Sequence, residues 1–389
     1  MDRVGEVLET AVETGAIAGA VALVRHHGEV VYHQAFGNAA LRPLARPMTR
    51  ETIFDLASLT KPLVGAAVAL ALVDRGLFSL DEEVTGFLPE LDRLSGKGVT
   101  FRRLLAHNSG IPGWRPLYVE ARDRPGVLSA VNRLSLTTSP GTRFEYSDIG
   151  FMILGLALER AGDRELDQLA SEMLFKPLGL AHTGYLPQAD PDRFATTEEG
   201  NAFERRMAEW AGLEFGEWRT EFHPGEVNDG NTHYALGGVS AHAGLFSDAY
   251  DLGVLAEMWR NHGQWNGRRI LSPAAVEQAA SDQGWRRGLG WQLMTRSAPS
   301  LDELSRADAG FFPPARTAWV PRTSGEFLSE RAFGHTGFTG TSMWIDPERE
   351  LCAVLLTNAT HPQVDIDKPV NALRARFHNS VVAALEQTR

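Results

Sequence analysis

The sequence predicts an α+β fold in which both ends of the chain build one antiparallel sheet that helices cover. Near the N-terminus, apolar segments at 16–25 and 30–37 flank the turn-forming H-H-G-E, a pattern typical of a hairpin. Near the C-terminus, residues 337–347 and 350–358 flank D-P-E-R and predict a second hairpin. The chain between the hairpins is mostly helical in pattern, so the strands of the two ends are expected to share one sheet.

Helices are predicted where apolar residues recur with helical spacing. The predicted helices span 2–14, 62–75, 100–106, 148–161, 165–174, 250–261 and 365–387. The segment 199–232, with scattered Trp and Gly, is predicted to be a long loop, and long loops in compact domains are often functional. We expect a single folded unit, with an α/β part at about 1–60 and 285–389 and a mainly helical part at about 61–284.

The composition argues against some classes of partner. The 389 residues are 43% hydrophobic and 22% charged, with a formal net charge of -11, as in an ordinary globular protein with a core. Nucleic acids and anionic membrane surfaces bind basic patches, so neither is an expected partner. The single cysteine, Cys352, lies in an apolar run and is predicted to be a buried strand residue.

No targeting segment is recognised in the sequence. The N-terminal residues are acidic and amphipathic and lack the pattern of a secretory signal. The longest apolar run, 62–73, is shorter than the ~20 residues that a membrane-spanning helix needs. The expected location is therefore cytoplasmic.

The segment around Ser58 has the pattern of a nucleophilic serine. Ser58 and Lys61 form S-x-x-K, and residues three apart share a helix face, so the amine can reach the hydroxyl. Pro62 fits the first turn of a helix, which places Ser58 at the helix start beside free backbone N–H groups. Burial lowers the pKa of a lysine, so Lys61 is predicted to accept the serine proton near neutral pH. S-x-x-K also occurs by chance in helices, so the pattern alone does not establish a catalytic site.

A second segment supplies a candidate acid–base group. Tyr146 and Asp148 open another apolar helix after a turn at Pro140 and Gly141. A tyrosine hydroxyl near positive groups ionises more readily and can act as a base. The same residues also fit a surface tyrosine followed by an aspartate at the N-cap of a helix.

A third segment, F-G-H-T-G-F-T-G-T-S, is a strand interrupted by Gly334, Gly337 and Gly340. Glycines in a strand often mark a place where a ligand or another backbone approaches closely. The N–H of Phe338 is predicted to form an oxyanion hole together with the N–H of Ser58. A bulged surface strand has the same pattern.

In this order, S-x-x-K, Y-S-D and H-T-G resemble the motifs of the serine β-lactamases and penicillin-binding proteins. The order and spacing resemble the class C β-lactamase branch, which also holds DD-peptidases, D-aminopeptidases and carboxylesterases. The segments at 104–113, 176–180 and 244–252 match the same branch. The segments at 227–246 and 287–291 resemble a subgroup that includes muropeptide amidases and esterases. The resemblance covers about 15–380 of the chain.

The resemblance implies a serine hydrolase that works through an acyl-enzyme without a metal or other cofactor. It implies that Ser58 is the nucleophile, that Lys61 accepts its proton, and that Tyr146 passes a proton to the leaving group. The residues that match the strand lining the substrate pocket are His335, Thr336 and Gly337. The implied partner is a small-molecule ester or amide, and the sequence does not indicate an oligomeric state.

Two residues depart from the family pattern. Asp148 stands where penicillin-recognising members usually have Asn, and His335 replaces the usual Lys. Histidine is mostly neutral above its ordinary pKa of ~6.5, so the pocket loses a dependable positive charge. Both changes favour an ester or a peptide-like amide, such as a cell-wall muropeptide. A penicillin-binding DD-peptidase, a weak β-lactamase and a sensor that is acylated without turnover stay open as alternatives.

Other residues resemble catalytic or metal-binding groups less closely. G-V-S-A-H around Ser240 almost matches a nucleophile elbow but ends in His242 and lacks a strong strand before it. His107, His233 and His242 have no H-E-x-x-H pattern or cysteine pair beside them, so no metal site is predicted. His233 and His242 are expected to shape the substrate pocket, as Asp148 is.

Overall fold

Among the residues that the structure describes, the two chain ends form one seven-stranded antiparallel sheet, and the sequence predicts such a sheet. The computed structural model describes residues 1–294, 323–365 and 370–387. The strands are β1 (Gly19–His26), β2 (Glu29–Ala40), β3 (Arg46–Pro47), β4 (Phe54–Asp55), β5 (Phe246–Ser247), β6 (Gln264–Trp265), β7 (Arg268–Arg269), β8 (Gln292–Leu293), β9 (Phe333–Thr336), β10 (Ser342–Asp346) and β11 (Leu351–Thr357). The large sheet has the order β3-β2-β1-β11-β10-β9-β8, and the pairs β4–β5 and β6–β7 form two small ladders.

Strand β1 joins the two ends of the chain. It pairs with β2 in the N-terminal hairpin and with β11 on its other side, where Ala20 lies opposite Thr357. Leu23 belongs to the apolar cluster on one face of the sheet and Val24 to the cluster on the other face, and both side chains are fully buried. A strand that is covered on both faces has a continuous apolar sequence, which explains the pattern at 16–25.

The helices account for the middle of the chain and both termini. The α-helices are α1 (Asp2–Glu13), α2 (Ala67–Asp74), α3 (Phe101–Leu105), α4 (Arg124–Asn132), α5 (Asp148–Gly162), α6 (Leu166–Ala170), α7 (Lys176–Leu178), α8 (Ala202–Trp210), α9 (Gly230–Ala235), α10 (Ala249–Arg260), α11 (Pro273–Ala280) and α12 (Val370–Glu386). The 3₁₀ turns are Ala57–Leu59, Val84–Gly86, Pro89–Leu94, Leu117–Val119 and Pro191–Arg193, and the π-helical turns are Lys61–Ala66 and Ser171–Phe175. Every predicted helix is present; residue 365 is not helical, the described part of α12 starts at Val370, and residues 366–369 of the predicted span lie outside the described residues.

The two faces of the sheet bury separate apolar clusters. On one face, α1 and α12 pack against each other and against the sheet, through residues such as Leu8, Phe377 and Val381. On the other face, α10 lies across β1 and β11. Gly253 of α10 permits this approach, because a Cβ there would lie 2.7 Å from Cδ2 of Leu23. The helical part of the chain continues the second cluster away from the sheet.

The helix that follows Ser58 is part of the core. The window Ala57–Asp74 is long and apolar enough to cross a membrane by length and composition, which the shorter run 62–73 did not suggest. However, 83% of this window is buried inside the protein, as is typical of the core helix of a folded domain. At Gly65, a Cβ would lie 3.0 Å from the ring of Phe151 on α5, so the two helices are in close contact.

The predicted loop at 199–232 is wrong in part, because it contains α8 and the first residues of α9. Phe203 and Met207 of α8 are buried on one helix face. The residues between these two are charged, and so short a helix has few apolar positions. The sequence therefore does not show the apolar spacing that predicts a helix. Helices α4 and α11 were also not predicted.

The predicted strand at 337–347 is shorter than expected. Only Ser342–Asp346 is a strand, and residues 337–341 form the turn between β9 and β10. Gly340 has a φ of +113°, which favours glycine and ends the extended conformation. All strands of the large sheet lie within 1–60 and 285–389. The division of the chain into an α/β part and a mainly helical part stays a prediction.

The burial of β1 predicts a large effect of shortening its side chains. Leu23→Ala is expected to lower the free energy of unfolding by about 2–5 kcal/mol, because Leu23 is fully buried between the sheet and α10. Val30→Ala on β2 is the control, since Val30 is 39% exposed, and it is expected to cost less than about 1 kcal/mol. Urea denaturation followed by circular dichroism measures both, and equal losses would contradict the placement of β1.

Candidate active site

Ser58 stands at the start of the buried helix, where the sequence predicts it. It lies in the 3₁₀ turn Ala57–Leu59, and Lys61–Ala66 then forms a π-helical turn with Pro62 in its second position. A proline has no N–H to bond the carbonyl of residue 58, and its ring would crowd that carbonyl in a regular α-helix. The wider π-helical turn, which begins at Lys61, is therefore explained by Pro62.

The residue before Ser58 has an unusual backbone conformation. Ala57 has a φ of +46°, which costs a residue other than glycine about 1–3 kcal/mol and is concentrated at functional sites. Asp55 stabilises this conformation, because its carboxylate accepts the N–H of Ala57 at 2.8 Å and the N–H of Asn228 at 2.7 Å. Burial raises the pKa of Asp55 to about 6. These bonds fix the direction in which the following serine leaves the chain.

Lys61 is fully buried, and its ammonium group has three polar neighbours from separate parts of the chain. Its Nζ lies 2.9 Å from Oγ of Ser58 and 3.0 Å from the carbonyl oxygen of His242. The third neighbour is Asp148, whose Oδ1 lies 2.6 Å away. The lysine thus connects the candidate nucleophile to the start of α5 and to the loop after α9.

The charge of Lys61 differs from what the sequence led us to expect. Burial alone lowers the pKa of Lys61, but the interactions with Asp148 and Tyr146 outweigh burial, so the pKa lies above its ordinary value. Lys61 is therefore an ammonium ion at neutral pH, and the prediction that burial frees its amine is wrong. The sequence contained the reason, since Asp148 replaces a neutral asparagine of the family pattern with a carboxylate.

Tyr146 lies between the lysine and a buried histidine. Its ring stacks on the ring of His107 with centroids 4.4 Å apart, and Nζ of Lys61 lies 5.0 Å from its ring centroid. The side chain of Ser147 caps α5, and the backbone N–H of Ser147 donates to Nδ1 of His107 at 3.0 Å. Because Ser147 is the N-cap, Asp148 is free to pair with the lysine. Burial lowers the pKa of His107 well below its ordinary value, so its ring is neutral.

The turn 337–341 is bonded to the two residues that precede Ala57. The hydroxyl of Thr339 donates to the carbonyl of Asp55 at 2.7 Å, and the hydroxyl of Thr341 donates to the carbonyl of Leu56 at 3.1 Å. These two bonds attach a turn near the C-terminus to the segment that carries the candidate nucleophile. The end of β9 is thereby placed beside the 3₁₀ turn.

The glycine of H-T-G is required by this contact. A Cβ at Gly337 would lie 2.3 Å from the carbonyl oxygen of Leu56, which no side chain tolerates. Among the described residues, the N–H groups of Ser58 and Phe338 donate no hydrogen bond. Two unused backbone donors on adjacent segments are what an oxyanion hole needs.

His335 on β9 is a neutral residue of the site. It is 3% exposed, and Nδ1 lies 2.8 Å from the carbonyl oxygen of Thr336, so Nδ1 is assigned the proton. Burial, with a smaller contribution from the Lys61 ammonium, lowers the pKa of His335 well below its ordinary value. Its ring centroid lies 6.0 Å from that of Tyr146. Thr336, beside it, is half-buried.

Ser240 and His242 belong to a buried hydrogen-bonded chain. Oγ of Ser240 lies 2.7 Å from Nδ1 of His242, and Nε2 of His242 lies 2.9 Å from Oδ1 of Asp229. Hydrogen bonds link these three residues in the same order as in a Ser-His-Asp triad. However, Ser240 is 4% exposed and His242 1% exposed, so a substrate does not reach either side chain. The predicted substrate-binding role of the His242 ring is therefore corrected: His242 acts on the site through its carbonyl, which accepts from Lys61.

His233 lies apart from these groups. It is on α9, with Nδ1 3.9 Å from Glu226 and its ring against Tyr234. Burial lowers the pKa of His233 to about 4. None of its contacts with described residues involves Ser58 or Lys61, and its role in substrate binding stays a prediction.

Arg287 is a cation of the site that the sequence analysis did not single out. The carbon of its guanidinium lies 4.7 Å from the ring centroid of Phe144, and its charge acts on Tyr146, His107 and His335. Burial lowers the pKa of Arg287 to about 10, so the group stays charged at neutral pH. Within the described ranges it forms no ion pair. In the sequence, R-G-L-G-W at 287–291 carries only the resemblance to the family subgroup and no signal of a charged site residue.

One group of possible metal ligands, His182, Asp248 and Asp251, has its ligand atoms within 4.8 Å of one another. Nδ1 of His182 lies 2.6 Å from Asp248, and the N–H of His182 donates to Asp251 at 2.7 Å. Arg193 approaches Nε2 of His182 to 3.1 Å, and its positive charge opposes a bound cation. The group is better explained as a hydrogen-bonded support for the start of α10.

Comparisons with known proteins agree with this geometry. The Beta-lactamase family model matches residues 4–376. The chain is 31% identical over 398 residues to the N-acetylmuramyl-L-alanine amidase of Bacillus subtilis (strain 168), covering 95% of this chain and 83% of that protein. Solved structures that share the fold include EstCE1, a hydrolase with promiscuous acyltransferase activity, which is 23% identical with a TM-score of 0.69 over 98% of each chain. A penicillin-binding protein homologue from Caulobacter crescentus is 20% identical with a TM-score of 0.71, and the match covers 98% of this chain and 97% of that chain.

The ion pair predicts that Asp148→Asn lowers the pKa of Lys61. Without the carboxylate, burial dominates and disfavours the ammonium form, so the amine loses its proton at lower pH than in the wild type. The chain has four lysines, so NMR titration of protein labelled with ¹³C at the lysine ε-carbon resolves the signal of Lys61.

In Lys97→Arg, one of the other lysine signals disappears and is thereby assigned to Lys97. This variant is the control. The expected result is a midpoint for Lys61 that moves to lower pH in Asp148→Asn. An unchanged midpoint would mean that Asp148 does not set the charge of the lysine.

Proposed function

This chain belongs to the Beta-lactamase family and is a serine hydrolase of ester or amide bonds, and we propose that it works through an acyl-enzyme on Ser58. The observation that carries the proposal is the convergence of Ser58, Lys61 and Tyr146, which come from two distant segments of the chain. A hydroxyl, an amine and a phenol close to one another are the groups that nucleophilic catalysis on a carbonyl requires. No metal is needed for this route.

In the first step, Ser58 attacks the substrate carbonyl and loses its proton to Lys61. Because Lys61 is an ammonium ion at rest, it must first release a proton, and Asp148 at 2.6 Å is placed to receive it. The neutral amine then accepts the proton of Ser58 across 2.9 Å. Asp148 is thus proposed to hold a proton during the attack, rather than to bind substrate as the sequence suggested.

The tetrahedral intermediate is proposed to place its oxyanion between the N–H groups of Ser58 and Phe338. Loss of one such donor typically lowers the rate by about 10²–10³. Tyr146 protonates the leaving group, and the ammonium of Lys61 next to it supports the return of the proton. Water then attacks the acyl-enzyme, the same proton transfers take place in reverse order, and Ser58 is released.

The substrate is proposed to be a peptide-like amide of a cell-wall muropeptide or a small ester. The name of one relative, the N-acetylmuramyl-L-alanine amidase of Bacillus subtilis, supports the first class. Arg287 supports a substrate with a negative charge, because the charge of this guanidinium acts on Tyr146 and has no carboxylate partner among the described residues. The uncharged His335 disfavours the penicillin-binding alternative, which depends on a lysine at this position.

Replacement of the nucleophile tests the proposal directly. Ser58→Ala is expected to lower kcat for 4-nitrophenyl acetate by about 10⁴–10⁶, because the acyl-enzyme does not form. The melting temperature is expected to stay within a few degrees of the wild type, since the Ser58 side chain is not part of the core. Residual turnover close to the wild type would end the assignment.

Ser240→Ala is the control for the second serine. A fluorophosphonate probe is expected to label Ser58 in this variant, as located by mass spectrometry, and not to label Ser58→Ala. Labelling of Ser240 would contradict the proposal. Stable labelling of Ser58 by a fluorescent penicillin, without ester turnover, would instead identify a penicillin-binding sensor.

The charge of Arg287 predicts a preference for anionic substrates. Arg287→Met is expected to lower the ratio of kcat/KM for 3-carboxyphenyl acetate to kcat/KM for its neutral methyl ester by about 10-fold, the effect of one charge-assisted hydrogen bond. Arg133→Met removes an arginine that pairs with Glu120 at the surface and is expected to leave the ratio unchanged. Equal ratios in wild type and Arg287→Met would rule out a role in substrate charge.

A further inference from the structure

Arg374 of α12 lies directly behind the turn that carries Phe338. It is 4% exposed, and its Nη2 donates to the carbonyl of Gly337 at 2.6 Å and to the carbonyl of Thr341 at 3.0 Å. Its Nη1 donates to the side chain of Asn371 at 2.5 Å. The guanidinium therefore binds the first and the last residue of the turn 337–341.

Arg374 has no carboxylate partner within the parts of the chain that the structure describes. Burial lowers its pKa to about 9, so the group remains charged at neutral pH. A buried charge without a counter-ion is costly, and a helix that only needed to pack on the sheet would have no use for one. The two backbone carbonyls are the groups that compensate this charge.

The carbonyl of Gly337 and the N–H of Phe338 are the two ends of the same peptide group. A positive charge that binds the oxygen draws electron density toward it and leaves the N–H a stronger donor, because hydrogen bonds in series polarise one another. The second bond, to Thr341, holds the far end of the turn in place. The turn is also held from its other side by Thr339 and Thr341, which bind the backbone before Ser58.

We propose that Arg374 is a positioning residue of the hydrolase, which orients the N–H of Phe338 toward the oxyanion and strengthens it as a donor through the carbonyl of Gly337. The inference rests on the proposed function, since it assigns the N–H of Phe338 to the oxyanion. Arg374 itself does not touch the substrate. Its effect is exerted in the transition state, where the carbonyl oxygen becomes negative.

This role predicts a specific kinetic signature. Arg374→Met is expected to lower kcat for 4-nitrophenyl acetate by about 10–100-fold, less than the loss of a whole oxyanion donor, with KM within about three-fold of the wild type. Arg374→Lys keeps a charge near the carbonyl and is expected to retain more of kcat than Arg374→Met. Arg376→Met is the matched control, because Arg376 is exposed on the same helix.

A double-mutant comparison separates this role from a general loss of structure. Phe338→Ala keeps the backbone N–H, whereas Phe338→Pro removes it. In the Phe338→Ala background, Arg374→Met is expected to lower kcat by about 10–100-fold. In the Phe338→Pro background it is expected to lower kcat by no more than about three-fold, because the two changes act on the same donor.

The possible outcomes are distinct. Equal losses in both backgrounds, or equal kcat in Arg374→Met and Arg376→Met, would overturn the role of Arg374 while leaving Ser58 as nucleophile. Turnover by Ser58→Ala would overturn the proposed function and this inference together. The carbonyl stretching frequency of the acyl-enzyme is a second readout: a weaker donor in Arg374→Met raises that frequency relative to wild type, and an unchanged frequency contradicts the proposal.

Discussion

The site depends on one constraint, which is that the ammonium of Lys61 is completely removed from water. A buried charge is stable only if its donors are satisfied, and here the partners are a serine hydroxyl, a carboxylate and a backbone carbonyl. The carboxylate comes from the start of α5 and the carbonyl from the loop after α9. The lysine therefore holds together three segments that are far apart in the sequence, and the same contacts that satisfy its charge also place it beside Ser58, the proposed nucleophile.

The arrangement around the lysine separates two kinds of residue. Lys61, Asp148 and Tyr146 are the residues that we propose exchange protons with one another or with the reacting groups. Others, such as Asp55 and the buried chain of Asp229, His242 and Ser240, only hold the backbone or a carbonyl in position. Three acceptors around one ammonium leave little freedom for the amine to move, so the proposed proton transfer would begin from a fixed geometry.

Much of this could be predicted from the sequence, because local patterns carry it. The two hairpins, the helices and the pairing of both chain ends followed from periodicity and turn residues. Ser58 and Lys61 followed from S-x-x-K with Pro62, and the contact at Gly337 followed from a glycine inside a strand. Each of these signals lies within ten or so residues, so no knowledge of distant contacts was needed.

What the sequence did not reveal depends on distant contacts. The raised pKa of Lys61 results from a carboxylate 87 positions away, as the numbers of Lys61 and Asp148 show, and burial by itself would have produced the opposite shift. Arg287 and Arg374 carry no local pattern that distinguishes them from surface arginines. In the structure, neither arginine has a carboxylate partner among the described residues. This absence, together with the groups around each guanidinium, indicates their roles.

The interior position of β1 in the sheet has a consequence for how the chain acquires its fold. β1 emerges early in synthesis, but one of its two neighbours, β11, is made more than 300 residues later. Until then one apolar edge has no partner, and contacts of such long range form slowly. An incomplete chain exposes this edge to other chains, so aggregation during translation is the hazard that the architecture creates and that molecular chaperones would have to limit.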